Sequence, residues 1–228
     1  MKKFFVAIAL SFFLSGAYAQ KLNKITLANN SNLEAITFEL DDRLMLNISK
    51  TGDIINWGVD NFLGRGENYS GQLDKYEGRV EYYGPTDNEA FRGKVKYIGR
   101  TIFTYYASYE NDLLKGKIKT IGVNSFEYYL SYEDPMVKGK IKSIGQLSFS
   151  WYTSMDNEAY KGKLKAIAPA SFTYYASFED IAYRGKIKSI GQASFTYYSS
   201  LDRREYRGAM KTGTSLLYVG AIKCLVLN

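Results

Sequence analysis

The chain has 228 residues, with 30 lysines and arginines against 23 aspartates and glutamates, a formal charge of +7, no histidine and one cysteine. Lacking histidine, it has neither the commonest general base nor the commonest metal ligand, and a single thiol makes no internal disulfide or cysteine-rich zinc site. Ser-His and Cys-His catalytic pairs are excluded with it.

At the amino terminus, Lys2 and Lys3 precede an apolar run from Phe4 to about Leu14 and then Ala17-Tyr18-Ala19. The run is short for a bilayer span and stands before an Ala-x-Ala pattern, so residues 1–19 are expected to be a signal peptide cleaved before Gln20. Residues 20–228 would then carry +5, the +7 less two lysines. The expected product is a soluble periplasmic or secreted protein with one β-repeat domain and no membrane span.

Residues 20–70 read as capping strands. "KITLANNSNLEAITFEL" (24–40) supplies one or two strands around an Asn/Ser turn, and "LMLNISKTGDIINWG" (44–58) a hairpin around Lys50-Thr51-Gly52-Asp53. Residues 71–207 carry the dominant signal. Paired aromatics recur at Tyr82-Tyr83, Tyr105-Tyr106, Tyr128-Tyr129, Trp151-Tyr152, Tyr174-Tyr175 and Tyr197-Tyr198, each 23 residues after the last. Glycine keeps the same step at Gly93, Gly116, Gly139, Gly162, Gly185 and Gly208. A fixed period of this size marks a tandem repeat in which each unit buries its apolar face against its neighbours. Residues 208–228 read as the C-terminal cap, with Cys224 a small buried residue of a last strand. The two caps are expected to cover the two edges of the repeat sheet.

Each unit contains two stretches of two-residue alternation. In "YRGKIKS", Tyr183, Gly185, Ile187 and Ser189 fall on one face, and Arg184, Lys186 and Lys188 on the other. In "SFTYY", Phe195 and Tyr197 lie opposite Ser194, Thr196 and Tyr198. Glycine turns such as "IGQAS" join the stretches, with Ala168-Pro169 standing in at "IAPAS". The predicted fold is all-β: tandem β-hairpin repeats in an elongated antiparallel sheet, with a β-solenoid as the alternative. A solenoid would stack equivalent lysines about 4.8 Å apart, at a cost on the order of 1 kcal/mol per pair even in water. A hairpin ribbon interleaves a Ser/Thr/Tyr strand, doubles that spacing and sets rings beside ammonium groups, and is preferred. The recurrent glycine fits either a gap beneath a cross-strand aromatic or a bulge where the loop enters the strand.

At "YRGKIKSIG" and "YKGKLKAIA" the chain loosely resembles repeats of the membrane-occupation-and-recognition-nexus (MORN) type, which open with Tyr-x-Gly in units of similar length. The resemblance covers 71–210 at most. It departs from the pattern in lacking the tryptophan and the later Gly-x-Gly, and in adding the Lys-x-Lys strand and the double tyrosine. The chain is also similar to exported bacterial tandem β-hairpin repeat proteins with "GKIKSIG…YY" units. These likenesses imply an antiparallel hairpin repeat and supply no catalytic residue.

The strongest chemical feature is a predicted basic face, with Lys117 and Lys119, Lys140 and Lys142, Lys163 and Lys165, and Lys186 and Lys188 beside Tyr129, Tyr152, Tyr175 and Tyr198. Cations interleaved with hydroxyls and rings suit an anionic polysaccharide, another polyanion or a cell-surface glycan. The alternative is a structural or protein-interaction element of the envelope whose basic face serves solubility. An acidic column, Asp87, Glu110, Glu133, Asp156, Glu179 and Asp202, is usually followed by Asn or Asp, and reads as turn formation with ion pairs to the Arg/Lys before each glycine. No phosphate-cradling loop and no distinctive carboxylate pair is present, so a non-enzymatic protein with no metal or cofactor is expected.

Overall fold

The computed structural model describes residues 20–28, 31–41, 43–60 and 73–227. The expected signal peptide, the two asparagines of the first turn (29–30) and residues 61–72 lie outside them. Alternating apolar and polar residues form strands throughout, and no helix occurs among the described residues.

Four strands come first, β1 (Lys21–Leu27), β2 (Leu33–Asp41), β3 (Leu44–Ile48) and β4 (Ile54–Val59), each antiparallel to the next. The repeats follow as β5 (Val80–Tyr82), then β6 (Val95–Ile98) with β7 (Thr101–Tyr105), β8 (Ile118–Ile121) with β9 (Asn124–Tyr128), and β10 (Ile141–Ile144) with β11 (Leu147–Trp151). They continue as β12 (Leu164–Ile167) with β13 (Ala170–Tyr174) and β14 (Ile187–Ile190) with β15 (Ala193–Ser194). β5 to β15 lie side by side in chain order as one 11-stranded antiparallel sheet, the expected hairpin ribbon. β16 (Thr196–Tyr197) and β17 (Met210–Thr212) repeat the pairing once more, and β18 (Leu216–Val219) and β19 (Ile222–Val226) form the last hairpin.

The chain ends do not cap the ribbon's edges as expected. β19 pairs in parallel with β1, giving a second sheet in the order β18-β19-β1-β2-β3-β4. This sheet lies over the inner face of the ribbon, because that face carries continuous rows of Phe and Ile that an edge strand would leave wet. Phe103, Phe126, Phe149, Phe172 and Phe195 are buried there with Ile25, Ile36, Phe38, Leu46 and Ile48 of the second sheet. Phe38 and Phe126 meet across the interface with ring centroids 5.8 Å apart. Each such side chain contributes about 1.5–3 kcal/mol of burial. Cys224 is fully buried in β19, and burial pushes its thiol up to about 12.

Within each repeat the alternation is broken at one place. Tyr174 pairs with Ile187 but Thr173 with Ser189, so Lys188 is an extra residue, a β-bulge. The same offset recurs at Lys119, Lys142 and Lys165. Because of it, both isoleucines of "IKSI" point inward, and the lysine and serine between them face outward. The bulge also takes backbone groups out of the ladder. At Ile141 the N–H donates to the Lys50 carbonyl at 2.9 Å and the carbonyl accepts from Trp151 Nε1 at 2.8 Å. In the neighbouring units Tyr128 and Tyr174 supply that second bond to Ile118 and Leu164, which is why tryptophan, also a donor, replaces tyrosine here.

The recurrent glycine is explained by backbone conformation and crowding. Gly185 has φ +76°, and a Cβ there would lie 2.7 Å from the Ala159 carbonyl oxygen of the preceding loop. Gly93 has φ +75° with nothing within 4 Å. Gly93→Ala should therefore cost only the left-handed backbone penalty, about 1–2 kcal/mol. Gly185→Ala should cost about 2–4 kcal/mol, since the stacked loops must also part. Urea unfolding of the two variants tests this, and equal midpoints would show that loop stacking is not what excludes a side chain.

Candidate functional site

The bulge separates the lysines of the predicted basic face into two columns. The inner column, Lys117, Lys140, Lys163 and Lys186, does not face outward with the other. It folds back at the loop end of the core, and Lys140 is only 8% exposed. Each ammonium lies over an inner ring, those of Tyr128, Trp151, Tyr174 and Tyr197, at 4.9–5.3 Å. Lys163 donates to the Gly185 carbonyl at 2.6 Å and Lys186 to that of Gly208 at 2.5 Å, both in the next unit. Lys140 makes the same bond to Gly162, and Lys117 donates to Thr51 of the second sheet at 2.9 Å. Burial lowers all four, bringing Lys140 and Lys163 to about 8.

The outer column, Lys119, Lys142, Lys165 and Lys188, is exposed on the face of the ribbon that the second sheet leaves uncovered. These ammoniums lie 5.1–5.3 Å over Tyr106, Tyr129, Tyr152 and Tyr175. Lys211 continues the column over Tyr198 at 5.6 Å. Successive members are two strands apart, about 10 Å. Lys119 pairs with Glu110 at 2.7 Å, Lys142 with Glu133 at 3.3 Å and Lys188 with Glu179 at 3.4 Å. The hydrogen bond to Glu110 raises Lys119, and Lys119 in turn lowers the Glu110 carboxyl. The acids were expected to pair with the Arg/Lys before each glycine; the three glutamates pair instead with these bulge lysines, which the hairpin brings alongside the loop, while Arg92 and Arg207 donate to the backbone carbonyls of Asp87 and Asp202.

The outer tyrosines offer less hydroxyl chemistry than their sequence suggests. Tyr129, Tyr152 and Tyr175 each donate to the carbonyl of Phe149, Phe172 and Phe195, one unit on, at 2.8–3.1 Å. Their rings therefore brace the ribbon, with the lysine stems laid over them. Between Tyr106 and Tyr132, beside Lys142 and Glu127, a shallow hollow of about 230 Å³ opens on this face. Elsewhere on the ribbon, hydroxyls pair between adjacent strands, Thr104 with Thr120 at 2.7 Å and Thr173 with Ser189 at 2.6 Å.

The acidic column builds the loops. Each carboxylate accepts from the backbone N–H three residues earlier, as Glu110 does from Ala107 at 2.6 Å and Asp202 from Ser199 at 2.6 Å. The following Asn or Asp ties its loop to the next: Asn88 to Ser108, Asp134 to Ser154, Asn157 to Ser177 and Asp180 to Ser200. The loops are thereby stacked into a wall. On its crest stands a feature that the strand-based reading passed over: Tyr109, Tyr132, Met155, Phe178 and Leu201, each more than four-fifths exposed. Their common step of 23 residues was the available signal.

Residues 83–202, more than half of the chain, match the family described as BspA type leucine-rich repeat region, in six copies. The chain belongs to this family. The matched span covers the tandem units described above, and the match gives no support to the MORN likeness drawn from Tyr-x-Gly. Neither the curated proteins nor the solved structures contain a match. Membership of this repeat family points to a non-enzymatic role in surface or protein interaction.

Proposed function

We propose that the protein is exported and uses the uncovered face of its ribbon to bind an anionic polymer or cell-surface glycan. The observation that carries this reading is the outer column, Lys119, Lys142, Lys165, Lys188 and Lys211, exposed at a regular step of about 10 Å over tyrosine rings. A linear polyanion with charges at a comparable repeat exchanges the Glu110, Glu133 and Glu179 carboxylates for its own, unit after unit. Weak individual contacts then add through multivalency. The ligand set is Lys119, Lys142, Lys165 and Lys188 with the ring edges of Tyr129, Tyr152, Tyr175 and Tyr198. Lys117, Lys140, Lys163 and Lys186 support the surface from below.

The test is retention on heparin and on a nucleic-acid matrix as salt is raised. Lys119→Glu, Lys142→Glu, Lys165→Glu and Lys188→Glu together should move elution from several hundred millimolar salt to the void, with an unchanged circular dichroism spectrum. Wild-type protein that passes straight through at low salt would refute the polyanion reading. In that event the family's coarser role, protein interaction through the same face, is the reading that stands.

A further inference from the structure

The loop crest has no structural reason to be apolar. Tyr109, Tyr132, Met155, Phe178 and Leu201 sit at equivalent positions of successive turns, and at 81–92% exposure they gain almost nothing from the fold. The turns close through the carboxylate and Asx bonds of their neighbours and need only a backbone at this position. Five large apolar side chains in line on the solvent side of a wall are therefore held for something outside the molecule. Their chemistry narrows what that is. Two tyrosines, a methionine, a phenylalanine and a leucine share apolarity and size but no shape, and the boundary between lipid headgroups and acyl chains accepts such a row without a shaped pocket.

Charge locates the contact at the C-terminal end of the crest. In the loop after Leu201, Arg203, Arg204 and Arg207 are three cations against Asp202 and Glu205, and Asp202 is turned in to the Ser199 N–H and hydroxyl. Arg203, Arg204 and Arg207 are exposed directly after Leu201, and Ile181, also exposed, stands beside Phe178 in the same loop.

We propose that this edge is a membrane-surface contact: Phe178, Ile181 and Leu201 enter the interfacial layer of an anionic bilayer, and Arg203, Arg204 and Arg207 meet its phosphates. Because the loops are already tied to one another, the crest is pre-formed and little ordering entropy opposes the contact. The crest borders the ribbon face proposed for polyanions, where Glu179 beside Phe178 pairs with Lys188, but the membrane contact uses different side chains.

Sedimentation with phosphatidylglycerol-containing vesicles, and with pure phosphatidylcholine vesicles, tests the proposal. The protein should co-sediment with the anionic vesicles at low salt and at least tenfold less with the zwitterionic ones. Phe178→Ser, Ile181→Ser and Leu201→Ser combined should cut anionic binding at least tenfold, as should Arg203→Glu with Arg204→Glu, while both variants keep the wild-type thermal midpoint. Val123→Ser removes an exposed apolar residue from the opposite, hairpin-turn end of the ribbon and should bind as wild type does. Wild-type protein left in the supernatant, a serine variant that sediments unchanged, or an equal loss from Val123→Ser would each overturn the proposal. So would a crest-dependent dimer in sedimentation velocity that ignores vesicles, since the crest would then serve a second copy.

Discussion

Raising the pH above 10 is expected to unfold this protein over a narrow interval. The inner tyrosines Tyr105, Tyr128, Tyr174 and Tyr197 are buried, and burial lifts each phenol well above its ordinary 10. Above pH 10 the unfolded chain loses these protons while the native state keeps them, so stability falls with pH. Each such proton lowers it by about 1.4 kcal/mol per pH unit. Four together give roughly 5 kcal/mol per unit, comparable with the whole stability of a domain, about 5–15 kcal/mol. The inner lysines act oppositely. Burial depresses Lys140 and Lys163 to about 8, against 10.5 in the unfolded chain. In that window the unfolded state holds more protons, and stability rises with pH. The thermal midpoint should therefore climb from pH 8, peak near pH 10 and drop steeply by pH 11. Circular-dichroism melts across pH 7–11 measure this; a midpoint that declines steadily from pH 7 would contradict the burial of the lysine column, and one that stays level past pH 11 would contradict that of the tyrosines.

Two lysines one residue apart from being neighbours should behave in opposite ways when reversed. In Lys140→Glu, a carboxylate replaces an ammonium that donates to the Gly162 carbonyl and lies over Trp151. It would face a carbonyl oxygen and a ring face, both repelling negative charge, in a site that is almost closed to water. A loss of about 3–5 kcal/mol is expected, the usual range for an uncompensated buried charge. In Lys142→Glu, the ammonium lost is exposed and paired at 3.3 Å with Glu133. That change should cost about 0–1 kcal/mol. Its effect belongs to binding instead, as weaker retention on a polyanion matrix. Urea titrations of the two variants decide the point. Equal stability losses would mean that the two lysine columns share one environment.

The contrast between those lysines also marks where reading along the chain stops being sufficient. Strict alternation places Lys186 and Lys188 together on an outer face, yet it also places Ile190 there with them, and Ile190 is buried. The three-residue step between Ile187 and Ile190 was the visible sign that one residue is extra. Which residue bulges out depends on the pairing of Thr173 with Ser189, a relation between strands that neither strand carries alone. For the same reason the loop crest escaped notice: a residue in a turn has no strand face to be assigned to, and only the stacking of the loops shows that these side chains are left exposed in a row.

By itself the sequence left a hairpin ribbon and a solenoid both open until the strand order was seen, but it determined the 23-residue period, the two-strand unit, the buried aromatic rows and the glycine columns. These follow from forces that act within a unit or between adjacent units, and six copies repeat the evidence. Only the tertiary structure decided which lysines are buried and where the chain ends go. β1 and β19 come from opposite ends of the chain and pair in parallel, and no local pattern records a contact whose cause is the apolar face of the ribbon lying between them in sequence. Burying that face required a second sheet, and the two termini were the strands free to make one.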